Sequence, residues 1–117
     1  MMQTHGTWGR RVVTRQTPYS ITTILYLDPK KRCSWHYHKH AYNQFYVISG
    51  MLEIKTDIGP DSQRNYTTIT DGQSFTVQPG VTHEFRTKDV PTIVEEIAWV
   101  EYDHTDIFRE LIGGDLG

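Results

Sequence analysis

The chain has 117 residues, a length that suits one domain over residues 1–117. Twelve lysines and arginines stand against 14 aspartates and glutamates, so the formal net charge is −2 and a nucleic-acid-binding face is not expected. Cys33 is the single cysteine and cannot form an internal disulfide, which favours a reducing, cytoplasmic location. The polar N-terminus and the lack of any run of about 20 apolar residues predict neither a signal peptide nor a membrane span.

Short segments rich in β-branched and aromatic residues alternate with turn residues along most of the chain, which is typical of strands. Gly50 lies between two such segments and predicts a hairpin. The predicted strands are Ser20–Leu27, Gln44–Ile48, Met51–Thr56, Tyr66–Ile69, Ser74–Val77, His83–Thr87 and Thr92–Glu101. Strands separated in this way predict an all-β protein, built as an antiparallel sandwich or barrel.

The C-terminal stretch is the place where the pattern changes to that of a helix. Asp103 or Thr105 could cap a short helix that runs to Ile112, and the following glycines would end it. Its apolar side would consist of Ile107, Phe108, Leu111 and Ile112. A helix of about ten residues is marginal by itself, so we expect it to pack on the strands.

Three histidines follow one another at a spacing of two, and two of them, His36 and His38, lie in a segment with strand character. Residues i and i+2 of a strand face the same way, which would place the two imidazoles side by side. Imidazole is the commonest protein ligand for metals, although such histidines can also be surface or core residues. The bend at Pro79-Gly80 would turn a third imidazole, His83, toward the pair, while His40 is expected at the rim.

The spacing around these histidines resembles the two cupin motifs. His36-x-His38 is followed by four residues, Asn43, six residues and Gly50, and the segment 72–83 ends in His83. The resemblance implies a cupin double-stranded β-helix, or jelly-roll barrel, with the short C-terminal helix. It also implies one divalent metal ion (Zn, Mn, Fe or Ni) held by His36, His38, Asn43 and His83.

A narrower resemblance is to the cupin domain of the type II mannose-6-phosphate isomerases. It is carried by Trp8-Gly9, the segments 34–50 and 72–83, and the closing Asp106-Ile107-Phe108-Arg109. The resemblance implies action on a sugar or sugar phosphate by metal-stabilised enediolate chemistry. It further implies a small-molecule, carbohydrate partner, and the cupin likeness implies a homodimer.

Three positions depart from the isomerases, which usually have glutamine, arginine and glutamate where this chain has His36, Ala41 and Asn43. Asn43 cannot act as a general base, and an isomerase needs one to move a proton between neighbouring carbons. The glutamates that remain available are Glu53, Glu84, Glu95 and Glu96. The catalytic residues are therefore left unassigned.

Two alternatives to the isomerase follow from the same departures. A neutral set of three histidines resembles the Fe(II) site of thiol dioxygenases, where the glutamate is also missing. A cupin that keeps its metal while lacking the arginine and the glutamate could instead bind carbohydrate without catalysis. Whether the protein is an enzyme thus stays open on the sequence alone.

Overall fold

The computed structural model describes residues 2–57, 63–101 and 105–116, and of residues 2–5 it describes the backbone only. In these ranges the chain forms nine strands and no helix. The strands are β1 (Met2–Gly6), β2 (Gly9–Gln16), β3 (Ser20–Leu27), β4 (Tyr42–Ser49), β5 (Met51–Asp57), β6 (Arg64–Thr70), β7 (Ser74–Val77), β8 (Thr82–Thr87) and β9 (Thr92–Trp99). None of the described residues belongs to a helix that could cross a lipid bilayer.

The strands form two antiparallel sheets. Sheet 1 has six strands in the order β1-β2-β3-β9-β4-β7, and sheet 2 has three in the order β6-β5-β8. From β4 onward the chain passes to sheet 2 for β5 and β6, then alternates between the sheets through β7, β8 and β9. Such alternation between two antiparallel sheets is the jelly-roll arrangement, and the predicted all-β fold is confirmed.

The segment before β4 extends sheet 2 along the free edge of β8. Arg32 and His36 form isolated bridges to Arg86 and His83 of that strand. Between these bridges, the backbone N–H of Cys33 donates to the carbonyl of Phe85 at 3.1 Å. This pairing is too irregular to be a full strand, but it fixes residues 32–36 against the sheet that contains His83.

The core lies between the two sheets because alternate side chains of each strand face inward. In sheet 1, Leu25, Val94 and Val47 are neighbours across three adjacent strands and are almost fully buried. Phe45 of sheet 1 meets Phe85 of sheet 2 edge to face, with ring centroids 6.0 Å apart. Burial of each such side chain contributes about 1.5–3 kcal/mol, which makes this contact a main link between the sheets.

Gly50 forms the predicted hairpin turn between β4 and β5. Its φ of 108° lies in the region that favours glycine, and a Cβ there would come within 2.6 Å of the Thr92 hydroxyl. The Gly50 N–H donates to the Asp71 carboxylate at 2.7 Å, which holds the turn in place. A side chain at this position would therefore be both strained and obstructed.

The predicted C-terminal helix is wrong for the part of it that the structure describes, because residues 105–112 are not helical. Asp103 lies outside the described residues. Phe108, Leu111 and Ile112 are 91%, 88% and 84% exposed, so the apolar side has no surface to pack on. A helix of this length needs such packing to form.

Candidate metal centre

Three histidines meet at one end of the space between the sheets. His36 and His38 come from the segment beside β8, and His83 is the second residue of β8 itself. One ring nitrogen from each lies within 4.8 Å of the others. The ring centroids are 5.0 Å apart for His36 and His38, 4.6 Å for His36 and His83, and 5.6 Å for His38 and His83.

Backbone pairing, rather than a regular strand, brings the histidines together. The N–H of His36 donates to the carbonyl of His83 at 3.1 Å, and the N–H of His83 donates back to His36 at 2.8 Å. At the predicted bend, Gly80 has a φ of 84° and donates its N–H to the carbonyl of His38 at 2.7 Å. The turn at Gly80 therefore holds the backbone of His38 and also leads into β8, the strand that contains His83.

Hydrogen bonds fix the orientation of two of the rings. His83 Nδ1 lies 2.9 Å from the carbonyl of Val81, and His36 Nδ1 lies 2.9 Å from the carbonyl of Ser34. A carbonyl only accepts, so each Nδ1 carries the hydrogen and each Nε2 keeps its lone pair. This is the way metal-binding histidines are usually held.

Burial favours the neutral form of His38 and His83, the form that ligates metals. It is the main reason why the pKa of His83 is lowered to about 4; the hydrogen bond to Val81 acts against this, and the charges of His36 and His38 add to it. Burial likewise lowers the pKa of His38, with a smaller effect of His36 in the same direction. At neutral pH these two imidazoles are therefore unprotonated in the metal-free chain.

Asn43 lies on the inward face of β4, where it is 2% exposed. Two residues along the same face, the Phe45 ring is 6.2 Å from the His83 ring, which places this part of β4 opposite the histidines. The Asn43 amide donates from Nδ2 to Glu96 Oε2 at 2.9 Å. Its amide oxygen has no hydrogen-bond partner.

Three buried side-chain atoms lack a partner in the described part of the chain: Asn43 Oδ1, Thr56 Oγ1 and His83 Nε2. Thr56 on β5 is the cross-strand neighbour of His83, so its hydroxyl belongs to the same inward-facing region. We call Asn43, Thr56 and His83 the interior polar cluster. Buried polar atoms without partners are rare, and a group of them marks a place where a bound ion, water or ligand completes the hydrogen bonding.

Glu96 is the residue near the site that the sequence analysis did not single out. It lies on β9 between Thr23 and Phe45 of the adjacent strands. Burial raises its pKa, while the hydrogen bond from Asn43 and the charges of His36 and Arg11 act against this. Its shared parity with the buried Val94 was the available signal, because alternate residues of a strand face the same way.

The donor set fits a divalent metal ion. Three imidazoles with ring nitrogens within 4.8 Å of one another form the nitrogen-rich set that suits Zn, Fe or Ni. The amide oxygen of Asn43 is a further neutral donor on the facing strand. His40, by contrast, is exposed and stands apart from the three histidines.

Comparison with known proteins supports the fold. Residues 23–95 match the family model described as Cupin domain. KdgF from Halomonas sp. covers 80% of this chain and 80% of its own at 16% identity, with a TM-score of 0.66. An RmlC-like cupin from Shewanella frigidimarina covers 79% and 76% at 20% identity, with a TM-score of 0.66.

A third similar structure is part of a larger protein. The capsular polysaccharide assembling protein CapF from Staphylococcus aureus covers 90% of this chain and 30% of its own at 16% identity, with a TM-score of 0.76. No curated protein matches the sequence. These likenesses concern the fold and do not bear on the narrower resemblance to the isomerases. Because the family model spans more than half of the sequence, the chain belongs to the cupin family.

Proposed function

We propose that this protein is a metal-dependent cupin that holds one divalent ion through His36, His38 and His83, with Asn43 as the fourth group. The observation that carries the proposal is His83 Nε2, a buried lone pair that faces two further imidazoles and has no hydrogen-bond partner. Leaving such an atom unsatisfied costs about 1–3 kcal/mol, and a metal ion removes this cost.

The bound ion would supply Lewis-acid polarisation of a substrate oxygen. The chain's own residues have other tasks. The carbonyls of Ser34 and Val81 hold the His36 and His83 rings, and Thr56 presents an unpaired hydroxyl beside His83. Phe45 lies edge-on to the same ring, with the two ring centroids 6.2 Å apart. This arrangement suits a small substrate with several oxygen atoms.

We further propose a sugar or a sugar phosphate as the substrate, acted on by isomerase chemistry through an enediolate. The support is the sequence likeness to the mannose-6-phosphate isomerases, together with a fold shared with a capsular polysaccharide assembling protein. Glu53 and Glu84 pair with Arg86 away from the histidines. Glu95 has the opposite strand parity to Glu96, so Glu96 is the strand glutamate that faces the candidate site.

A three-histidine Fe(II) dioxygenase is the second candidate function. One observation favours it: among the described residues no carboxylate or thiol joins the three histidines, so the protein ligands are neutral. Such a set leaves positions on the metal for substrate and oxygen. A cupin that binds carbohydrate without turnover is the remaining outcome of the experiments below.

Metal analysis of purified protein tests the proposal. We expect about one divalent ion per wild-type chain, and its loss or strong reduction in His38→Ala. His40→Ala is the matched control, because it removes an exposed histidine two residues further along and should leave the metal content unchanged. Equal metal content in wild type and His38→Ala would contradict the proposed centre.

Activity assays then separate the candidate functions. Protein loaded with Mn or Zn should convert an aldose phosphate to a ketose if the isomerase proposal is right. Oxygen uptake after loading with iron would instead favour the dioxygenase. Binding of a carbohydrate without turnover in either assay would leave the non-catalytic cupin.

A homodimer in the cytoplasm completes the proposal. Its support is the outward face of β4, where Tyr46 and Ile48 are 41% and 45% exposed, since a second subunit would bury such apolar surface. Light scattering on the eluted protein should give twice the chain mass of 13.6 kDa. A mass equal to one chain would contradict the dimer and leave the metal centre unaffected.

A further inference from the structure

We infer that Glu96 is a positioning residue for the metal centre, and that it acts by holding the Asn43 amide with its oxygen turned toward the histidines. The inference rests on the proposed function, because it concerns the fourth group of the same site. Glu96 makes no direct contribution to the set of three histidine nitrogens. Its effect on the metal passes through Asn43.

The first step of the argument is the hydrogen bond itself. Asn43 Nδ2 lies 2.9 Å from Glu96 Oε2, and both residues project from neighbouring strands into the same space. In this bond the amide nitrogen donates and the carboxyl oxygen accepts, so the amide turns its nitrogen to Glu96. The oxygen is then the end of the amide that remains for the interior.

The second step is that the oxygen is left without any partner. Asn43 Oδ1 is buried and unsatisfied, as His83 Nε2 is on the facing strand. An amide oxygen can ligate a metal ion, whereas an amide nitrogen cannot. An unheld asparagine side chain could present either end, because its terminal torsion has two broad, nearly equivalent orientations. Holding the nitrogen therefore selects the end that ligates.

The third step concerns the chemistry of the fourth group. The cupin motif usually has glutamate where this chain has the amide of Asn43. Glu96 places a carboxyl group one hydrogen bond away from that amide, on the neighbouring strand. Partners that hold a ligating group in this way commonly change metal affinity by about 10- to 100-fold.

The test measures the affinity of the protein for Co(II) or Zn by calorimetry. Glu96→Gln should weaken binding by about 10- to 100-fold, because a glutamine side chain can accept or donate and no longer selects one end of the amide. Glu95→Gln is the matched control. It removes the adjacent glutamate, which has the opposite strand parity, and its affinity should equal that of wild type.

The same substitution made in an Asn43→Ala protein shows whether Glu96 acts through Asn43. In Asn43→Ala the amide is gone, so adding Glu96→Gln should cause no further loss of affinity. The visible spectrum of the Co(II) form should also change in Glu96→Gln toward that of Asn43→Ala, an effect that a general loss of stability would not produce. An equal loss in both backgrounds would overturn the inference.

Glu96→Asp guards against a variant that does not fold. It keeps the negative charge and withdraws the acceptor from Asn43 Nδ2, so its affinity should fall between those of wild type and Glu96→Gln. Wild-type affinity in Glu96→Asp would overturn the positioning role. If wild type itself binds no metal, the proposed function fails; if it binds and Glu96→Gln matches Glu95→Gln, the present inference alone fails.

Discussion

Two sets of polar side chains in the described structure differ in whether their atoms have partners. On the outward side of sheet 2, Glu84 is 2% exposed and receives Arg86 Nε at 2.7 Å, with an Arg32 nitrogen at 3.5 Å. In the interior polar cluster, Asn43 and Thr56 are buried to the same extent, and each leaves an oxygen without a partner.

This difference marks the interior polar cluster as a place where a bound ion, a water or a ligand would complete the hydrogen bonding. On sheet 2, the buried carboxylate of Glu84 has arginine partners for its oxygens. The chain therefore supplies partners for a buried polar group where no bound ligand does so. Buried polar atoms without partners are rare in native structures, and a bound ion or water often accounts for them. The difference between the paired Glu84 and the interior polar cluster can be tested by changing the pH and by substituting residues of each set.

The largest expected effect is the pH dependence of the metal-free protein. The pKa of His83 falls from 6.5 in the unfolded chain to about 4 in the fold. The unfolded state therefore binds a proton first as the pH drops below 6.5, and the free energy of unfolding should decrease by up to about 3 kcal/mol between pH 6.5 and 4. Urea unfolding across this range measures the slope.

The control for the pH series is His83→Gln, which removes the titrating ring. Its stability should depend less on pH in the same window. Glu96 acts in the opposite direction, because a raised carboxyl pKa favours the folded state as the pH falls, so only the difference between the two proteins reports His83. Identical slopes would show that His83 is not buried as a neutral ring.

A smaller effect is expected on the paired side of the comparison. Glu84→Ala should lower the free energy of unfolding by about 1–2 kcal/mol, because it removes a buried, charge-assisted bond while both arginines stay partly solvated. The matched control is Asp89→Ala, which breaks an exposed ion pair with Lys30 and should cost less than about 0.5 kcal/mol. Equal costs would remove the distinction between the buried and the exposed pair.

Much of the fold was predictable because its signals are local. Gly50 predicts the hairpin because glycine readily takes the positive φ that this turn requires. The spacing of His36 and His38 predicts that both side chains lie on the same side of one segment. The first two strands were missed because their sequences are largely polar. Their formation depends on pairing, β2 with β3 and β1 with β2, rather than on an apolar pattern. The C-terminal helix was predicted from the spacing of its apolar residues. In the structure these side chains are exposed and have no surface to pack on.

The contact of Glu96 with Asn43 could not be deduced from the sequence. Two glutamates follow one another on β9, and only the register with β4 shows that Glu96 lies beside Phe45 and close to Asn43. That register depends on pairing between β4 and β9, which are far apart in the sequence. The histidines, by comparison, come with their own spacing and turn residues.

The smallest effect should have the opposite sign. Thr56→Val removes a buried hydroxyl that has no partner and keeps the shape of the side chain, so the metal-free protein should gain about 1 kcal/mol of stability. Thermal unfolding would show this as a rise of roughly 4 °C in Tm. Thr68→Val, at an exposed position of β6, is the control and should change Tm much less. A loss of stability in Thr56→Val would mean that the hydroxyl is already satisfied, and the interior polar cluster would then be reduced to Asn43 and His83.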